Sequence, residues 1–208
     1  TYYWNARKYE LGDLTNITVI GQSTSADANA WKSILSQALP GDVIQRSKTP
    51  TSGQHTMIVE SVDATGVQIL DCNGTASLCK IDSRKLSWND LAAKGSYFTL
   101  YRAKNYPIEN DDSLATQPSD LETIRQRLET IKAGKYGVGK YFTENGKACT
   151  SHPSSNCHKA TAAEAGTEGC TQCFGFARYA FYQLFGKSLS TYYWNARKYE
   201  LGDLTNIT

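Results

Sequence analysis

The chain carries two thiols at the threshold of a helix, and a thiol so placed is disposed to act as a nucleophile. In Gly169-Cys170-Thr171-Gln172-Cys173-Phe174-Gly175-Phe176-Ala177-Arg178-Tyr179-Ala180-Phe181, the residues Ala177, Ala180, Phe181 and Leu184 follow Cys173 at helical spacings. This predicts a helix over 171–185 with one buried face, ended by Gly186. A cysteine in its first turn feels the positive end of the helix dipole and free backbone N–H groups, both of which favour thiolate over thiol. The plainer alternative is a buried or disulfide-bonded cysteine that precedes a helix.

A cysteine nucleophile needs a base within hydrogen-bond reach and a third group to orient that base. His55 heads an apolar strand predicted over 55–62, and a tight turn at 63–66 returns the chain along 67–72, setting Asp71 to Asn73 beside it. Asp71 and Asn73 share one strand face. Asp71 is the charged orienter; Asn73 is the alternative, with a turn role as its plainer reading. For His55 the plainer reading is a half-buried strand histidine. His152 and His158 fall in a polar loop and suit solvation or substrate contact.

These groups must be positioned by a mixed scaffold. Trp31, Ile34, Leu35 and Ala38 predict a helix over 27–39, closed by Pro40-Gly41. A β-rich part follows: strand 42–46, loop 48–54, strand 55–62, strand 67–72, a turn at 73–78 and a pairing segment at 79–81. Residues 88–93 read as a short helix and 96–103 as a strand, so the sheet is an antiparallel meander. The Ser119-x-x-Glu122 capping box and the stripe Leu121, Ile124, Leu128 and Ile131 predict a helix stopped by Gly134. Residues 135–169 form a long irregular excursion, and residues 1–20, with Tyr2, Tyr3, Trp4 and Tyr9, show no clear period.

Composition fits one globular domain: 208 residues, 40% hydrophobic and 20% charged. A net charge of +2 leaves no footprint for nucleic acid, and no apolar run is long enough to span a membrane. Cysteines 72, 79, 149, 157, 170 and 173 fall in three local pairs, the pattern of an exported, disulfide-bearing protein. Cys72 with Cys79 would close a short loop; Cys149, Cys157 and Cys170 are further disulfide candidates.

Residues 1–18, TYYWNARKYELGDLTNIT, recur letter for letter as residues 191–208. A lone duplication at two ends is not a solenoid period. It predicts a circularly permuted domain with an overlap, the original termini being joined through the acidic, proline-bracketed linker at 104–118, or else a cut across tandem modules. Either way two copies compete for one native place. One is then displaced, or exchanged between molecules in a domain-swapped homodimer.

Leu39-Pro40-Gly41-Asp42-Val43-Ile44, Gly53-Gln54-His55-Thr56-Met57-Ile58-Val59-Glu60-Ser61-Val62 and Gly66-Val67-Gln68-Ile69-Leu70-Asp71-Cys72-Asn73 together resemble the second half of the NlpC-type and CHAP-type papain-like amidases and peptidases. Those families read Pro-Gly-Asp before a first strand, a histidine at the head of the next and a polar residue at the end of the one after. Their nucleophile is a cysteine opening a helix, and Gln-Cys followed by small and aromatic residues looks most like the CHAP version, which favours Cys173 over Cys170. The resemblance covers about half of the chain. It implies an α+β papain-like fold, a helix bearing Cys173 packed on an antiparallel sheet bearing His55, in circularly permuted order because His55 here precedes Cys173.

The function so implied is a secreted bacterial hydrolase, extracellular or wall-associated, that cleaves amide or peptide bonds of peptidoglycan through Cys173, His55 and Asp71, with no cofactor and no metal. The Cys173 backbone N–H supplies one oxyanion donor; Gln172 and the loop around Tyr141 are candidates for the second. A secreted protease or toxin acting on protein is the alternative. Two rivals belong to other classes: a structural zinc site drawn from Cys149, His152, Cys157, His158, Cys170 and Cys173, and a non-catalytic wall-binding module.

Overall fold

Short runs rich in branched and aromatic residues, buried on both faces, build the centre of the molecule. The computed structural model describes residues 16–25, 27–48, 55–72, 80–106, 120–142, 157–158, 172–187 and 189. Six strands, β1 (Ile17–Ser23), β2 (Val43–Ser47), β3 (His55–Asp63), β4 (Gly66–Cys72), β5 (Ile81–Ser87) and β6 (Tyr97–Ala103), lie in the order β1-β6-β2-β3-β4-β5. Every neighbouring pair is antiparallel. From β2 to β5 the sheet is the expected meander; β6 then crosses back to lie between β1 and β2.

Among the described residues four helices cover the sheet: α1 (Ala28–Leu35), α2 (Trp88–Lys94), α3 (Asp120–Ala133) and α4 (Gln172–Phe185). One face carries Val43, Ile58, Leu70 and Tyr101, packed against Ile124, Leu128 and Ile131 of α3 and Phe176, Phe181 and Leu184 of α4. The other carries Ile44, Met57, Ile69 and Leu100 against Trp31 and Leu35 of α1 and Leu91 of α2. The architecture is thus α+β with an antiparallel sheet between two helical layers. Two-residue strands β7 (Tyr141–Phe142) and β8 (Cys157–His158) form a separate parallel pair within the excursion read as irregular.

Three expectations need correction. The helix predicted over 27–39 ends at Leu35. Gln37 N–H and Ala38 N–H then bond to Ile34 O at 3.2 Å and Leu35 O at 3.0 Å, a tightened turn that keeps Ala38 on the buried stripe after the α-helix has stopped. Of the pairing segment at 79–81, Ile81 opens β5, Lys80 bridges singly to Tyr141 and residue 79 lies outside the described residues, while residues 17–23, for which the sequence shows no clear period, are β1. The linker at 104–118 begins later than its first residues: Lys104 N–H bonds to Asn16 O at 2.9 Å, and Tyr106 is buried. The second copy of the repeat, Ser119 and its capping box, and residues 107–118 lie outside the described residues.

Pro40-Gly41-Asp42 fastens the layers together. The Asp42 carboxylate is shut from solvent and accepts Leu39 N–H at 2.8 Å, Arg102 Nε at 3.0 Å and Arg102 Nη2 at 2.7 Å. Burial pushes the Asp42 carboxyl up even so, while Arg102, nearer the surface, is raised by the pair against its own burial. The Tyr106 hydroxyl donates to Pro40 O at 2.8 Å. Gly41 has φ 90°, and a Cβ there would lie 3.0 Å from the Phe185 ring and 3.2 Å from Ile124 Cγ2. Gly41→Ala is therefore expected to lower stability by roughly 1–3 kcal/mol in a denaturant titration; an unchanged midpoint would contradict this account of the turn.

The far end of α4 is anchored by two side chains. Arg127 Nη1 donates to Leu184 O, and Asn105 Nδ2 donates to Phe185 O at 3.1 Å. Satisfying these otherwise unpaired carbonyls fixes the helix along the sheet. Its opposite end, with Cys173, is thereby held at a defined place beside β3.

Candidate active site

The site lies where β3 begins, β4 ends and α4 starts. In the β3–β4 register Asp71 stands opposite Met57, two residues along from His55, so the two side chains share a face. In the β4–β5 register Arg84 stands opposite Ile69, which brings it to the same face beside Asp71. His55 Nε2–H donates to Asp71 Oδ2 at 2.7 Å. Arg84 grips the same carboxylate through Nη2 to Oδ2 at 2.5 Å and Nε to Oδ1 at 3.3 Å.

Cys173 is the second residue of α4 and is half-buried. Its sulfur shares a hydrogen bond with the His55 side chain and accepts the backbone N–H groups of Thr56 and Phe174. Because Nε2 is engaged with Asp71, Nδ1 is the ring nitrogen left for the thiol. Base, orienter and nucleophile are therefore in line, with the imidazole between them.

Their charges support one another. Burial pulls the His55 imidazole down, but the Cys173 thiolate and the Asp71 carboxylate outweigh it and push the pKa up to about 9. Burial raises the Cys173 thiol, yet the His55 imidazolium and the Thr56 and Phe174 N–H groups bring it below the ordinary thiol value. For Asp71, burial is likewise overcome, by hydrogen bond and charge from His55 and then from Arg84, so the carboxyl sits below the usual range. Side-chain exposures of 6% for His55, 0% for Asp71 and 18% for Arg84 mean that little water screens the relay. The favoured state is thiolate facing imidazolium, with a carboxylate behind.

The structure thus brings Cys173, His55 and Asp71 together. Asn73, the alternative orienter, lies outside the described residues, as do Cys79, Cys149, His152 and Cys170. Gln172 is placed only as the first residue of α4, and Cys157 and His158 only as the backbone of β8. Tyr141 is half-buried on β7, and Cys72 is buried with Leu70 and Ile81 in the core. Among the described residues no group of three or more His, Cys, Asp or Glu side chains could hold a metal ion.

Two site residues escaped the sequence reading, Arg84 behind Asp71 and Arg46 beside His55. Arg84 sits in Ile81-Asp82-Ser83-Arg84-Lys85-Leu86-Ser87, where two apolar residues five apart signal neither face of a strand. Had β5 been recognised, its pairing with β4 would have placed a basic residue next to Asp71. Comparison with protein-family models, with curated proteins and with solved structures finds no match to this chain.

Proposed function

We propose that the chain is a papain-like cysteine hydrolase that cleaves amide or peptide bonds of bacterial cell-wall peptidoglycan outside the cell. The observation that carries this is the His55 imidazole, bonded through Nε2 to Asp71 at 2.7 Å and through its other side to the Cys173 thiol. A pair so arranged has no structural need of a depressed thiol. It is suited to acyl transfer.

The Cys173 thiolate attacks the carbonyl carbon, and the carbonyl electron pair moves to oxygen. The Cys173 N–H, in the first turn of α4 and without an intrahelical acceptor, is available to the oxyanion. As the C–N bond breaks, the His55 imidazolium gives its proton to the leaving amine, and the acyl group remains as a thioester. His55, now neutral, takes a proton from water, whose oxygen attacks the thioester. The product acid leaves and the thiolate–imidazolium pair is restored.

Resemblance at Pro40-Gly41-Asp42, His55, Asp71 and the Gln172-Cys173 step supplies the papain-like assignment and the choice of peptidoglycan. Reading residues 119–208 first and then from residue 19 onward restores the family order of cysteine, histidine and polar residue. Digestion of purified cell wall, with released ends identified by mass spectrometry, tests the reading. New amino and carboxyl ends are expected from the intact protein and none from Cys173→Ala; no ends from the intact protein would overturn it.

A further inference from the structure

The margin of the site holds more positive charge than the chemistry above employs. Arg46 is the direct partner of His55 in the β2–β3 register, which sets the two side chains on one sheet face with Cβ atoms about 5 Å apart. Arg46 Nη1 donates at 2.8 Å to the carbonyl of Lys94, the last residue of α2. That close approach depends on Gly95, where a Cβ would lie 3.1 Å from Ser47 O and 3.6 Å from Arg46 Cβ.

Arg46 Nε is shut from solvent and has no acceptor among the described residues. Nor, among the described residues, is either neighbouring carboxylate free to serve it. Asp71 is held by His55 and Arg84, and Asp90 is occupied with the Ser87 backbone and hydroxyl at the start of α2. Burial pulls the Arg46 guanidinium below its ordinary value; Asp71 and Cys173 act in the opposite sense, so the group lies within electrostatic reach of the reacting sulfur. Lys94 is lowered by burial and then by repulsion from Arg84 and Arg46. A thiolate–imidazolium pair is neutral overall, leaving three cations, Arg46, Arg84 and Lys94, against two carboxylates, Asp71 and Asp90, on this margin.

A half-buried guanidinium with an unfilled donor, in an excess of like charge, lacks an anion. We propose that Arg46 binds a carboxylate of the substrate beside the scissile amide, so that the preferred substrate is an acidic peptide. That the carboxylate belongs to a substrate rests on the hydrolase reading above; selectivity for anions at Cys173 does not. A planar guanidinium offers parallel donors suited to a carboxylate, and such charge-assisted bonds are among the stronger polar contacts.

The test compares alkylation of Cys173 by iodoacetate and by iodoacetamide at low ionic strength, read on the Cys173 peptide by mass spectrometry. In Arg46→Gln the iodoacetate rate is expected to fall about tenfold or more while the iodoacetamide rate changes less than about twofold, as for loss of one charge-assisted hydrogen bond. Arg46→Lys keeps part of the preference. Added salt erodes it in the native protein more than in Arg46→Gln. Should Arg46→Gln fail to fold, Arg46→Met, which keeps the apolar stem, takes its place. An unchanged rate ratio in a folded Arg46→Gln or Arg46→Met protein overturns the anion subsite even if peptidoglycan is cleaved. Conversely, an Arg46-dependent preference in a protein that releases no peptidoglycan ends leaves the subsite standing and removes the hydrolase.

Discussion

Replacing His55 with alanine is expected to lower kcat/KM on peptidoglycan by roughly ten-thousand- to million-fold, about as much as Cys173→Ala, with the double variant scarcely worse. The reason lies in the coupling of the two groups. Without the imidazolium, burial acts on the Cys173 thiol unopposed except by the Thr56 and Phe174 N–H groups, so the thiol returns towards or above its ordinary value and the nucleophile is lost along with the proton donor. The native protein should show a bell-shaped profile. Its basic limb falls near pH 9, because His55, raised to about 9, keeps its proton below that value and loses it above. Its acid limb falls below the ordinary thiol range, where the depressed Cys173 takes up a proton. Both limbs belong to the pair. Iodoacetamide labelling of Cys173 against pH reads the same titration without turnover, and labelling of the His55→Ala protein that remains fast near pH 6 would sink the assignment.

How far these groups could be read from the chain depended on the local signal around each. His55 and Asp71 were legible because β3 and β4 are nearly continuous apolar strands joined across Asp63 and Gly66, so one turn fixes which residues face each other. Cys173 was legible because α4 has a clean apolar stripe and begins where predicted to within one residue. Arg84 was not, because β5 is an outer strand whose middle is half exposed; Ile81 and Leu86 are buried on opposite faces of the sheet. Strand β1 was hidden for a related reason: its register shifts between Val19 and Gly21, and such a bulge breaks the period of two on which a strand is recognised. Arg46 lay in a strand that had been predicted, but its role depends on the C-terminus of α2 meeting β2, a tertiary contact that no local pattern announces.

Asp71→Ala is expected to be the most damaging single change to stability, about 3–5 kcal/mol, since it strips the partner from a largely buried cation. Arg84 would face no carboxylate, and His55 Nε2–H would lose its acceptor. Asp71→Asn keeps the shape and one acceptor, so it should fold better while still losing roughly a hundred- to ten-thousand-fold in kcat, because a neutral amide no longer holds or compensates the imidazolium. Its pH signature has a definite sign. The Asp71 carboxyl is depressed in the folded protein, so its stabilisation is present above the unfolded value of about 3.9 and is lost as pH falls through the lower folded value. Acid unfolding of the native protein should therefore steepen below about pH 4, and Asp71→Asn should flatten that step. Adding Arg84→Met to Asp71→Asn separates the clamp from the catalytic partner: removing both members of the pair should lose less than the sum of the single losses, with a coupling of roughly 0.5–3 kcal/mol. Strict additivity in denaturant titrations would mean that Arg84 and Asp71 act independently, and the carboxylate would then owe its orientation towards His55 to the β4 backbone alone.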